Sequence, residues 1–212
     1  MPMPIQSTVG PVGPATAGTS FQPRLGPTGE LVENQMYGKY YEATRLGLVF
    51  TASQAVAGVA LLTATSTTVN FAFYNPPASG KRAILLKATF GYVSATLIAG
   101  HIAYAVTPTN QTTVTGTSLT INNNLVGGAG SAMAAYSTAT MGAASTYFRP
   151  SKYSNFVPTA AAVAAPWAYD EDFDGSIVVP PGIGFAIGGS IALTIVAVIS
   201  LTWIELPNAA GT

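Results

Sequence analysis

Side-chain size alternates with a period of two residues near the end of the chain, in the stretch IALTIVAVISLTW at residues 191–203. Because successive side chains of a β-strand point to opposite faces, this alternation is typical of a strand with one apolar face. The surrounding uncharged run at 183–204 is long enough to cross a membrane as a helix, but its alternation and its β-branched residues favour a strand. The large residues on odd positions are Ile191, Leu193, Ile195, Ile199, Leu201 and Trp203.

The same alternation recurs earlier in the chain. TVNFAFYNP, RAILLKATFGYVS and LIAGHIAYAV each predict a strand with one large apolar face, and GLVFTAS and VAGVALLTA predict two more. SIVVPPGIGFAIGGS predicts two short strands around a Pro-Pro-Gly turn. Several of these strands are apolar or small on both faces, which indicates burial on both sides. The predicted faces are Val69, Phe71 and Phe73; then Ile84, Leu86, Phe90 and Tyr92; then Ile98, Ile102, Tyr104 and Val106.

Many short strands separated by turn residues predict an all-β sandwich or barrel. About eight strands can be counted, and we expect a jelly-roll-like β-sandwich formed by a single domain of residues 36–212. The weakest pattern, at about 108–170, predicts a long, insertion-like loop excursion. The best helix candidate lies inside it, at SAMAAYSTATMGAAS (131–145), whose Ala and Met favour one or two helical turns.

The N-terminal residues have an unusual composition. Residues 1–30 hold six Pro and five Gly, and only Arg24 and Glu30 are charged. The short runs GPVGPATAG and GPTGEL lose their Gly-X-Y period at Thr16 and Val32, which argues against a collagen triple helix. No basic and apolar regions of a signal peptide are present. Since Pro and Gly favour extended backbone, we expect residues 1–35 to form an extended arm that docks on a neighbouring subunit or a particle surface.

The chain carries little charge. Charged residues make up 8% of it, against roughly 25% in ordinary soluble proteins. So few charges predict that copies of the chain or other proteins cover much of the surface, and we expect a homo-oligomer, a trimer in particular. The formal net charge is zero and no run of Lys or Arg occurs, so we expect neither a nucleic-acid nor a membrane partner. Cysteine is absent, which excludes disulfides, a thiolate nucleophile and a zinc knuckle.

The sharpest local motif is DEDFDG at residues 170–175. Alternating carboxylates followed by a turn glycine also begin an EF-hand loop, in which oxygen atoms wrap Ca²⁺. The twelfth position of that loop is Pro181 in place of Glu. We therefore expect a solvated acidic turn that opens a strand, with Ca²⁺ binding by Asp170, Asp172 and Asp174 as the alternative.

The sequence assigns no catalytic residue, no cofactor-binding residue, no cofactor and no metal ligand. His101 is the only histidine, and it lies in an apolar stretch on the face opposite Ile102 and Tyr104, which favours a structural role. The glycine-rich GGAGS at 127–131 lacks the Lys and the strand–loop–helix context of a phosphate-binding loop. We expect a protein that is not an enzyme.

Three aromatic clusters are the remaining feature. Such residues contribute either to a carbohydrate or protein contact surface or, as we expect, to the anchoring of long loops on the sandwich. The clusters are Tyr37, Tyr40 and Tyr41; then Tyr147, Phe148, Tyr153 and Phe156; then Trp167 and Tyr169.

The run FYNPPASGKRAILLKATFGYVSATLIAGHIAY, the turn VVPPGIGFAIGGS and the ending ISLTWIELP resemble structural proteins of tailed bacteriophage particles. These proteins are small β-sandwich subunits, often trimeric, that act as head decoration or cement proteins or as tail accessories. The resemblance covers 70–107 and 175–207 and carries over no functional residue. It implies a place in the virion and contact with other virion proteins, such as the major capsid protein.

Three functions follow as hypotheses. The first is a structural virion subunit, which acts by burying its surface on its neighbours and is tied to them by the arm. The second is a receptor-binding or adhesin module at a tail or fibre tip, which would use the 108–170 region. The third, a hydrolase on a β-scaffold, is disfavoured because one histidine and eight acidic residues offer few convergent titratable groups.

Overall fold

The computed structural model describes residues 38–95, 100–107, 113–151 and 168–208. The chain divides into two compact units, Met1–Tyr41 and Glu42–Thr212, and the described strands all belong to the second unit. One short helix, α1 (Tyr41–Arg45), precedes them. In the described ranges no helix is long and apolar enough to cross a membrane.

The strands form two antiparallel sheets. In spatial order, sheet 1 consists of β10 (Ala168–Val179), β4 (Lys81–Ser94), β12 (Val196–Pro207), β1 (Val49–Ser53) and β7 (Ile121–Asn123), and β2 (Val59–Ala60) also pairs with β12. Sheet 2 consists of β6 (Val114–Ser118), β8 (Ala134–Met141), β3 (Thr68–Tyr74), β11 (Gly184–Gly189), β5 (Ile102–Val106) and β9 (Thr146–Pro150).

Eight of these strands have jelly-roll connectivity. The first pairs with the last, β1 with β12, and the pairing continues inward as β3 with β11, β4 with β10 and β5 with β9. A long antiparallel hairpin that is folded over into two sheets gives this order. The prediction of an all-β, jelly-roll-like sandwich is therefore confirmed.

The excursion between β5 and β9 contains strands. Within it, β8 and β6 extend sheet 2 beyond β3, and β7 extends sheet 1 beyond β1. The predicted helix within 131–145 is wrong, because Ala134–Met141 is strand β8. Pairing with β3 on one side and β6 on the other overrides the helix propensity of its Ala and Met residues.

Aromatic side chains fill the core between the sheets. Trp203 of β12 is fully buried, stacks on Phe50 of β1 at 6.2 Å between ring centroids, and meets Phe73 of β3 edge-on at 4.8 Å. Near the other side of the sandwich, Tyr104 of β5 meets Phe173 of β10 edge-on at 5.2 Å. These contacts join the two sheets, so the interior is packed with side chains.

The predicted alternation holds along most strands. Ile199, Leu201 and Trp203 of β12 are buried in this core, as predicted. Phe71 and Phe73 of β3 also face it. The described members of the predicted β5 face share the same core: Ile102, Tyr104 and Val106.

Strand β4 departs from the predicted alternation. Phe90 and Tyr92 face the core as predicted, but Leu85 joins them in place of Ile84. Leu86 has no partner on β12, because the pairing register of the two strands shifts by one residue there. A single extra residue in one strand reverses which side chains face the core, and this bulge puts Ile84 on the outside of the sheet.

Several predictions fall outside the described residues. They concern the arm at residues 1–35, Ile98, Tyr37, Tyr153, Phe156 and Trp167.

Candidate functional site

The acidic motif lies within strand β10, and not in a turn that opens it. The alternation of the strand exposes Asp170, Asp172 and Asp174 and buries Glu171 and Phe173. The motif thus separates into an acidic outer edge and an inward-facing carboxylate and ring.

An irregular bulge of several residues interrupts β10 inside this motif. Asp172 pairs with Lys87 and Ile177 with Leu85, so four residues of β10 have no paired position on β4. Asp174 and Gly175 adopt left-handed backbone with φ of 50° and 80°, which Asp and Gly tolerate better than most residues. The D-G pair therefore bends an edge strand, a device that also blunts the edge against pairing with other chains.

The exposed carboxylates do not converge on a metal site. Among the described residues, no three His, Cys, Asp or Glu side chains are placed to hold a metal ion. Asp170 is instead bonded to β4: Lys87 Nζ donates to it at 2.8 Å and Thr89 Oγ1 at 2.7 Å. These two donors hold the pKa of the Asp170 carboxyl below its usual range. The described geometry gives the calcium alternative no support.

Glu171 forms a buried polar cluster that joins the edge strands of the two sheets. Its side chain is almost wholly buried, and its Oε2 accepts hydrogen bonds from the Tyr104 hydroxyl at 2.7 Å and the Ser151 hydroxyl at 2.5 Å. Arg149 Nη2 lies 3.5 Å from Oε1. The Ser151 hydroxyl also bonds the Tyr169 hydroxyl at 3.0 Å. Removal of the carboxylate would take away the acceptor that the Tyr104 and Ser151 hydroxyls share.

Burial determines the protonation of the tyrosines in this cluster. Burial raises the pKa of Tyr104 far above its ordinary value, and the hydrogen bond to Glu171 raises it further. Burial also raises the pKa of Tyr169. Both hydroxyls therefore stay protonated, and Tyr104 serves as a donor that fixes Glu171. Ser151 is buried as well, so this cluster links the two sheets by buried hydrogen bonds.

A second buried carboxylate, Glu205, was not predicted from the sequence. It accepts hydrogen bonds from Lys81 Nζ at 3.1 Å, from Trp203 Nε1 at 3.2 Å, from the Ala132 backbone N–H at 3.2 Å and from the Ser131 hydroxyl. Ser131 ends the glycine-rich GGAGS stretch, which thus ties the excursion to β12. Glu205 shares the odd-numbered, core-facing positions of β12 with Trp203, and a charge on an apolar face was the signal that could have revealed it.

His101 lies just before β5. Its backbone bonds Ser190: the His101 N–H donates to Ser190 Oγ at 3.2 Å, and the His101 carbonyl accepts from the Ser190 N–H at 2.8 Å. The ring meets Tyr147 edge-on at 6.4 Å. A structural role predicts a histidine side chain whose ring nitrogens are hydrogen-bonded. Within the described ranges, however, the buried His101 Nε2 has no hydrogen-bond partner.

The described aromatic residues divide into buried and exposed groups. Tyr169 stacks on Phe90 of the core at 4.9 Å between centroids, as expected of an anchor. Tyr147 and Phe148 on the edge strand β9 are about half exposed. Tyr41 in α1 is also partly exposed. Among the described members of the three clusters, Tyr41, Tyr147 and Phe148 present the most ring surface to solvent.

The outer side of sheet 2, here called the covered face, is a second buried layer. It is rich in alanine, and its residues are at most 7% exposed in the single chain. Val69, predicted to share a face with Phe71, belongs to this layer instead. The strand residues of the covered face are Val69, Ala72, Tyr74, Ala103, Ala105, Val114, Ala139, Met141 and Ala186.

The outer side of sheet 1, here called the open face, is partly exposed and rich in hydroxyl groups. Directly paired residues form rows across its strands. The first row is Thr51, Thr202, Lys87 and Asp172; the second is Ser53, Ser200, Thr89 and Asp170; and an apolar row is Ile204, Ile84 and Val178.

Comparisons with protein-family models, with curated proteins and with solved structures give no match. The geometry of the described residues is therefore the basis for a functional proposal.

Proposed function

We propose that the chain is a non-enzymatic structural subunit of a virus particle, of the head decoration, cement or minor capsid kind. It would act in the virion by contact with copies of itself and with other virion proteins, such as the major capsid protein. The sequence resemblance to tailed-phage structural proteins motivates the proposal. The jelly roll agrees with it, since viral capsid domains share this architecture with lectins and cupins, although a fold alone does not fix a function.

The observation that carries the proposal is the contrast between an interior filled with side chains and a partly exposed outer surface of sheet 1. Aromatic rings fill the space between the sheets, and Glu171 and Glu205 fasten the sheets to each other and to the excursion. The open face has hydroxyl and aliphatic side chains on β12 and β1, and its charged groups lie on β4 and β10. A surface with an uncharged centre of this kind is suited to burial against neighbours.

The test is the location of the chain in intact particles. Particles from cells that carry the gene would be purified on a density gradient and imaged by electron microscopy. We expect the chain to co-sediment with the particles at a fixed copy number and to occupy density at symmetry-related positions on the head. A chain that stays in the soluble fraction while complete particles sediment contradicts the proposal.

One observation favours a second function, receptor binding at a tail or fibre tip. Tyr147 and Phe148 are half exposed on β9, an edge strand that borders the excursion, and exposed aromatic residues are common in recognition surfaces. The purified chain would then bind host cells, and the variant with both Tyr147→Ala and Phe148→Ala would lose that binding. Equal binding by the variant and the parent chain contradicts this function.

A further inference from the structure

Several side chains of the open face are fixed by bonds to one another. Thr51 and Thr202 share a hydroxyl–hydroxyl bond of 2.9 Å, and Thr89 and Lys87 both bond Asp170. Short side chains that are already fixed lose little rotamer entropy when a second surface covers them. The face is therefore organised for contact before any partner arrives.

The charges of the open face lie on one side of it. Arg82, Lys87, Asp170 and Asp172 belong to β4 and β10, whereas β12 and β1 contribute hydroxyl and aliphatic side chains. Lys87 and Asp170 neutralise each other across 2.8 Å. The centre of the face thus has the low charge that is typical of the core of a protein interface.

The size of the open face suits a stable contact between two proteins. Sheet 1 is long at β10, β4 and β12, with 12, 14 and 12 residues, and short at β1 and β7, with 5 and 3 residues. With a rise of about 3.3 Å per residue and about 4.8 Å between strands, these strands cover roughly 700 Å² in projection. A standard interface covers about 800 Å² on each partner. One such face is therefore sufficient for a specific contact.

We propose that the open face packs against the open face of a second copy of this chain, about a two-fold axis that runs along β12. This arrangement brings the Lys87–Asp170 side of each copy over the Thr51 side of the other, where hydroxyl groups can bond the charges and like charges stay apart. A contact of a surface with itself closes at two copies. The inference rests on the proposed role as a subunit of an assembly, and it departs from the trimer expected from the sequence.

Substitution at the centre of the face gives the first test. Ser200→Asp places a carboxylate near its own copy across the axis, and we expect the dissociation constant of the dimer to rise about 100-fold or more because like charges meet in a desolvated contact. Thr117→Asp, on the exposed edge strand β6 of sheet 2, is the matched control and should leave the dimer intact. Sedimentation at micromolar concentration measures both, and circular dichroism verifies that each variant is folded.

Crosslinking gives an independent second test, because the chain contains no cysteine. Ser200→Cys should give a covalent dimer with a short bismaleimide that spans the distance of about 10 Å between packed sheets, and Thr117→Cys should not. A monomeric parent chain, a trimer, or a dimer that Ser200→Asp leaves unchanged overturns the proposal. Each of these outcomes leaves the particle experiment free to support or contradict the virion role.

Discussion

The two outer faces of the sandwich differ although both belong to antiparallel sheets of one chain. The covered face of sheet 2 is rich in alanine and is buried in the single chain, whereas the open face of sheet 1 carries hydroxyl, aliphatic and charged side chains and is partly exposed. Small side chains let another layer approach closely, and hydroxyl groups keep a face hydrated until a partner replaces the water. Strands that are apolar on both sides therefore do not by themselves indicate a contact between subunits.

The largest expected difference between the faces comes from a buried charge. Ala186→Asp puts a carboxylate into the covered face, where Ala186 is 0% exposed, and should cost about 4 kcal/mol or more because the charge is buried among the apolar side chains of this layer. Ser200→Asp puts the same group on the open face and should change the stability of the monomer by under about 0.5 kcal/mol. Urea unfolding at low protein concentration measures the free energy of unfolding of both variants. Equal losses of stability would contradict the distinction between the two faces.

A single methyl group gives a smaller difference. A Cβ at Gly188 of sheet 2 would overlap the Leu62 carbonyl oxygen and lie 3.1 Å from Ala64 Cα, whereas a Cβ at Gly91 of sheet 1 meets nothing within 4 Å. Gly188→Ala should therefore destabilise the chain by about 1–3 kcal/mol. Gly91→Ala should be neutral or slightly stabilising. Thermal unfolding compares the stability of the two variants. If Gly188→Ala left the stability unchanged, the backbone at 62–64 would have to move away from the new methyl group at little cost.

The smallest expected effect concerns the ion pair on the open face. Because the pKa of Asp170 is lowered in the folded chain, its contribution to stability is present above the unfolded value of about 3.8 and is lost as the pH falls through the lower folded value. The pair is half exposed, so we expect a coupling of only about 0.2–1 kcal/mol.

A double-mutant cycle of Asp170→Asn and Lys87→Met measures this coupling at pH 7 and again below pH 3. A coupling that persists undiminished at the lower pH contradicts the assignment, since the Asp170 carboxyl would then contribute without its charge.

The sequence was sufficient for the fold wherever alternation was strong. The odd-numbered apolar positions around Trp203 predicted β12, and the order of strands and turns predicted the sandwich. The bulge at Leu86 was not predictable, because one extra residue leaves no trace in a pattern of similar apolar side chains. Strand β8 was missed because Ala, Ser and Thr suit either structure and only its neighbours decide.

The candidate site was less predictable than the fold. The motif at 170–175 begins like a metal-binding loop. In the folded chain, however, it lies in strand β10, where three of its carboxylates are exposed and the fourth, Glu171, is buried. The exposed carboxylates could be told from the buried one only with knowledge of which strands lie next to β10. The open face depends in the same way on pairing between strands that are far apart in the sequence.

The pairing of the first strand with the last has a consequence for how the chain is made. Thr51 finds its partner Thr202 only 151 residues later, so all the residues between these two must be synthesised before sheet 1 can close. Contacts of such long sequence separation make folding slow, and strands β3, β4 and β5 stay without their final partners during synthesis. Efficient production therefore depends on protection of those apolar strands until β12 emerges, and conditions that slow the translation of β12 should increase aggregation.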